Sequence, residues 1–304
     1  MPVDAVVGLP AHGAHGSARV AADLGWEVFA ILVVLLLVAA ALAQVAALRA
    51  AAPRGRWPWW RTLAWHAGLL CAGVALVGPL AMAARSSFTA HMAGHLLLGM
   101  VAPLLLVLAA PVTLALRALP APSARRLVRL LRTRFVRVVA HPLVAAVLNA
   151  GGLWLLYTTD LYRLMHGSVL VHALVHAHVL LAGWVFTASV VGVDPDPHRS
   201  PMTVRATVLV LFVAAHSLLG KWLYVHPPAG VEQADARAGA QLMYYGGDVV
   251  DVTLMVLLLL GWYRATRPRT GVRTASAAPS ATRGAASPLP RPSAPARRRT
   301  PTTR

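Results

Sequence analysis

SVLVHALVHAHVLLAGWVFTASVVGV, residues 168–193, is the stretch that sets the fold. Its 26 residues contain no Asp, Glu, Lys or Arg, and a helix of that length crosses a hydrocarbon core of ~30 Å at ~1.5 Å per residue. His172 and His176 are four residues apart, so a helix puts them on one face; His178 points to another side. Ionisable groups are costly in a bilayer and usually face a bundle interior. The stretch therefore predicts one span of a helical membrane protein, with a site inside it.

Six more apolar runs flank it, giving seven expected spans at residues 26–48, 62–84, 92–116, 142–157, 168–193, 202–225 and 242–263; each approaches the ~20 residues a crossing needs. The expected fold class is all-α, a seven-helix membrane bundle. Residues 1–25 are a leader and 26–265 the membrane domain. Residues 266–304, rich in Arg, Pro and Ser, read as a disordered tail. Only 12% of the 304 residues are charged and mean hydropathy is +0.63, whereas a soluble domain carries about 25% charged residues. The net charge of +18 comes from arginines beside apolar runs, with Lys221 the one lysine, so no nucleic-acid partner is expected. The single cysteine, Cys71, excludes an intrachain disulfide and any CxxC motif.

The arginines also orient the bundle. Alternate ends of the spans collect 17 arginines on one side and four (Arg19, Arg85, Arg163, Arg237) on the other. The positive-inside rule then places the N-terminus outside and the C-terminus in the cytoplasm. On the arginine-rich side the stretch 123–139, from Ser123 to Val139, spaces Leu127, Leu130, Leu131, Phe135 and Val138 at roughly helical intervals among its arginines. It reads as an amphipathic segment on anionic lipid.

Orientation gives each polar residue a depth. His91 and His95 fall at the outer end of the third span, and His172 and His176 in the outer part of the fifth. His216 is near the middle of the sixth, with Lys221 beyond it. Asp248 and Asp251 share a stripe with Gln241 and Tyr244 in the outer half of the seventh. His66 is the exception, toward the cytoplasmic end of the second. The candidate metal ligands are thus His91, His95, His172, His176 and His216, with Asp248 and Asp251. Neutral imidazole suits copper, zinc and iron. The carboxylates read as ligands, as groups orienting imidazoles, or as counter-charges to Lys221. A buried polar network that only fixes helix packing is the plainer alternative. On the residues alone copper, zinc, iron and haem all stay open. Catalysis is not expected.

Three stretches resemble one known family. HMAGHLLLGMVAPLLLVLAAPVTLALRAL (91–119), the run 141–186 and GAQLMYYGGDVVD (239–251) are similar to the seven-helix CtaG family of bacterial cytochrome c oxidase assembly factors. The resemblance covers about residues 57–263. It implies a multi-pass protein of the bacterial plasma membrane that matures haem-copper oxidase subunits, through copper supply, with an extracytoplasmic copper chaperone as a further expected partner. The other function classes open to the residues are a haem-binding membrane redox protein and a copper transporter. The sparse polar content of the inner halves speaks against transport.

Overall fold

The computed structural model describes residues 12–267, with side chains from residue 23 onward. The described residues are almost entirely helical. Helix α1 (His12–Ala51) starts well inside the expected leader and runs to the Pro53 turn. Then come α2 (Trp59–Leu76), the short α3 (Pro79–Ala83) and α4 (Phe88–Leu96). A π-helical turn, Leu97–Val101, leads α4 into α5 (Ala102–Leu108). Three short helices follow, α6 (Pro111–Ala118), α7 (Ala121–Leu131) and α8 (Arg134–Val139). Next are α9 (Pro142–Ala146), a second π turn Val147–Gly151, α10 (Gly152–Thr158) and α11 (Leu161–Gly167). Three long helices complete the bundle: α12 (Val169–Val191), α13 (Met202–Val225) and α14 (Gln233–Thr266). The proposed tail lies almost wholly outside the described residues.

Six helical segments are long and apolar enough to cross a membrane, and a seventh arises if the pair Pro142–Thr158 and Leu161–Gly167, bent by 79°, is one span. This is a multi-pass helical membrane protein, with lipid-facing residues such as Leu36, Leu70, Leu170 and Val249 left exposed. The bend falls at Thr158–Asp160, after the shortest of the expected runs. The third span is shorter than the sequence suggests. It ends at Leu108 because Ala110 takes a left-handed conformation (φ 53°) before Pro111 starts a new helix. Pro103 causes no such break. The π turn immediately before it widens the helix at the position where the proline ring would clash.

The start of the third span and the start of α6, which follows it, are each held by an aspartate from elsewhere in the chain. Asp235, in the first turn of α14, accepts from the backbone N–H groups of Phe88 (2.6 Å) and Thr89 (3.0 Å) and from the hydroxyls of Thr89 (2.6 Å) and Ser87 (3.2 Å). Asp194, after α12, accepts from Val112 N–H (3.2 Å), Thr113 N–H (2.7 Å) and the Thr113 hydroxyl (2.6 Å). Both satisfy first-turn donors that a helix cannot satisfy for itself, with charge that suits a helix N-terminus. Between these clamps the helices approach closely at small residues. A Cβ on Gly183 of α12 would collide with the carbonyl of Gly99, so backbone meets backbone there.

Candidate metal-binding site

At the arginine-poor end, a cavity of about 130 Å³ is lined by His91, His166, His172 and His176, with Trp26 and Arg85. Each ring comes from a different structural logic. Ser87 caps α4 by accepting from Ala90 N–H, which sets His91 in its first turn. Ser168 does the same for α12 through Val171 N–H, placing His172 and His176 one turn apart, ring centroids 4.0 Å. His166 ends α11, which the 79° bend turns back toward α12. Trp26 and Phe29 of α1 press their edges on His172, at centroid distances of 4.9 and 5.3 Å.

The hydrogen bonds fix which nitrogens are free. Nδ1 of His166 donates to Tyr162 O (2.8 Å), and Nδ1 of His176 to His172 O (2.9 Å). A carbonyl can only accept, so both rings carry their proton on Nδ1 when neutral and keep a lone pair on Nε2. His91 engages the Tyr157 hydroxyl through Nε2 at 3.0 Å, leaving Nδ1. The His172 ring has no hydrogen-bond partner among the described residues. Four imidazoles with free nitrogens in one small cavity are a donor set suited to a copper or zinc ion.

The remaining predicted ligands form a deeper group. His95 of α4 and His216 of α13 face each other with ring centroids 6.3 Å apart. Two imidazoles on one ion have ring centres up to about 6 Å apart, since an M–N bond of ~2.0 Å sets each centre ~3 Å from the metal. Nε2 of His95, both nitrogens of His216 and both oxygens of Asp251 are buried without a partner among the described residues. His216 is 2% and Asp251 1% exposed. Such groups require a partner that protein atoms do not supply: water, a proton or an ion. Gly247 makes the His216 position possible, because a Cβ there would stand 2.5 Å from its Cε1.

The seven predicted ligands therefore fall into two groups, His91, His172 and His176 at the cavity of the arginine-poor end and His95 and His216 deeper, with Asp251 buried one turn from Gly247 on the same face of α14. Asp248, one turn from Asp251, is half-buried. Lys221 pairs with neither carboxylate; its ammonium lies 5.3 Å from the Tyr244 ring centroid, so the counter-charge reading finds no contact to support it. Among the described residues no three His, Cys, Asp or Glu side chains stand ready around a single ion. Sequence reasoning passed over His166, whose signal was its spacing of four from Tyr162. His66, exposed, donates from Nδ1 to Thr62 O. His178 joins α12 to the second π turn, with Nε2 3.0 Å from Leu148 O.

Beneath the His95–His216 pair the core turns apolar. Phe186 and Phe212 stack with centroids 4.1 Å apart among Leu96, Met100, Leu209 and Leu254.

The chain is similar to uncharacterized proteins of Mycobacterium bovis and Mycobacterium tuberculosis, at 35% identity over 173 residues in each case; the match covers 54% of this chain and 26% of theirs. An uncharacterized protein of Mycobacterium leprae is 27% identical over 233 residues, 68% of this chain and 35% of that protein. The chain thus spans about a quarter to a third of the length of these relatives. No solved structure matches it. The family model for the cytochrome c oxidase caa3 assembly factor matches residues 28–265, which takes in every residue of both histidine groups, and the chain belongs to that family.

Proposed function

We propose that this protein supports the assembly of a haem-copper oxidase in a bacterial plasma membrane by holding copper at its outer face and passing it to apo-oxidase subunits. The observation that carries the reading is the cavity lined by four histidines at the arginine-poor end. On the positive-inside orientation that end faces outward, where an extracytoplasmic copper chaperone would load it. His91, His166, His172 and His176 would hold the ion. His95 and His216 offer a second, deeper pair of nitrogens, and Asp251 a buried carboxylate, with Asp248 beside it. Copper here is cargo, and the chain's task is binding and release rather than catalysis.

Two features support this reading over its alternatives. A cavity of about 130 Å³ is small beside the ~300–1,000 Å³ of sites for cofactor-sized ligands, which favours an ion over haem. The packing around Phe186 and Phe212 is apolar, which disfavours transport across the membrane.

The test is copper binding by the purified full-length protein beside oxidase activity in cells. The variant His91→Ala/His172→Ala/His176→Ala should reach the membrane at the normal level, bind no copper at the outer cavity and leave haem-copper oxidase activity low under copper limitation, with partial rescue by added copper. Full oxidase activity in that variant under copper limitation would sink the delivery reading.

A further inference from the structure

A groove of about 260 Å³ lies at the opposite, arginine-rich end, between α8 and the end of α12. Phe135, Val136 and Val139 form one wall, Trp184 and Ala188 another, and Val112 of α6 contributes to the lining. Its polar groups are already committed. The Ser189 hydroxyl donates to Phe186 O at 2.7 Å, Asp194 caps α6, and Asp196 accepts from His198 N–H at 2.7 Å. Most of the remaining lining is apolar side chains, so the groove selects an apolar body.

Charge identifies the other end of that occupant. Arg125, Arg126, Arg129, Arg132, Arg134 and Arg137 are all exposed, and none is ion-paired among the described residues. The stretch forms two helices rather than one, because Thr133 caps α8 and breaks the run after α7. On α8, Phe135, Val136 and Val139 face the groove while Arg134 and Arg137 take the opposite side. A helix lying at a membrane surface in that way sets its guanidinium groups among the headgroups and its apolar side toward acyl chains. We propose that the groove is a binding site for one acyl chain of an anionic phospholipid from the arginine-rich leaflet, with the α7–α8 arginines holding its headgroup. The site is independent of the histidine cavity and of copper.

The test uses full-length protein in phosphatidylcholine vesicles containing phosphatidylglycerol, with bromine on the acyl chains of one lipid or the other. Bromine quenches nearby tryptophan, and the difference between the protein and its Trp184→Phe variant isolates the groove. Brominated phosphatidylglycerol should quench the Trp184 component with about tenfold stronger association than brominated phosphatidylcholine. Each arginine near an anionic surface contributes about a fivefold factor, so Arg134→Gln/Arg137→Gln should remove most of that preference. Ala188→Phe, which fills the groove, should abolish quenching by both lipids. Equal quenching by the two lipids in the unsubstituted protein would overturn the headgroup assignment. A Trp184 component insensitive to either bromine would overturn the site, whether the groove is empty or covered by another protein.

Discussion

Replacing Gly247 by alanine asks whether His216 owes its buried position to a missing Cβ. The new methyl carbon would stand 2.5 Å from Cε1 and 3.0 Å from Nδ1 of His216, against ~3.5–4.0 Å for carbons in contact. The shortfall is about 1 Å. The ring cannot swing into open space, since His216 is buried and stacked on Phe212. Relief requires an off-rotamer imidazole or separation of α13 from α14, and overpacking of this kind costs ~1–3 kcal/mol. Alanine in place of glycine inside a helix otherwise gains about 1 kcal/mol. Gly261 lies on the same helix with nothing within 4 Å of its added Cβ, so Gly261→Ala reports that gain alone. Equilibrium unfolding in mixed micelles should place Gly247→Ala below Gly261→Ala by ~1–3 kcal/mol or somewhat more. In a His216→Ala background the Gly247→Ala penalty should vanish, because the clashing ring is gone. If Gly247→Ala unfolds together with Gly261→Ala, or if its penalty survives without His216, the packing account of the deeper pair is wrong.

Asp235→Asn should lower stability by about 1–2 kcal/mol, because four donors lose a charged acceptor at a half-buried helix start; an unchanged unfolding midpoint would show that the clamp carries little. Arg85→Gln should tighten copper binding several-fold, since a guanidinium lining the cavity, 3.8 Å over Trp26, repels a cation; equal or weaker affinity by competition with a chelator would count against an ion in that cavity. Reporter fusions after Arg137 and after Arg264 should both read cytoplasmic, and an external signal from either would reverse which face the histidine cavity opens to.

Much of the fold was legible because a bilayer demands long apolar runs, and the chain writes them plainly from residue 26 to 263. Legibility failed where the backbone departs from a straight helix. The expected third span ran to residue 116, but Ala110 and Pro111 stop it; a proline signals such an interruption, whereas nothing in an apolar run announces a left-handed alanine. The fourth run is bent, and the bend delivers His166 to the cavity from what read as a loop. Helical spacing put His91 and His95 on one face of α4 and His172 and His176 on one face of α12. It gave no hint that His91 and His95 would serve different neighbours, Tyr157 and His166 for one, His216 for the other. That division depends on which helices stand beside α4 at each level, a tertiary property that spacing along one helix does not encode.

The clamps and the π turn together explain how one helix can serve two levels. The third-span segment carries His91 and His95 in its first two turns, next to the Asp235 clamp, which ties their depth to the start of α14. Beyond its end, α6 is tied to the α12–α13 connection through Asp194. The widened turn Leu97–Val101 lies between the two clamps, directly after His95. The same turn puts Gly99 against Gly183 of α12, the helix that supplies His172 and His176. Three histidine-bearing helices are therefore referenced to one another: α4 and α14 at the clamp, α4 and α12 at the glycine contact, and α14 and α13 where Gly247 admits His216. Disturbing any one of these contacts should displace the imidazoles relative to each other, even though His216 alone among the contact residues is a candidate ligand.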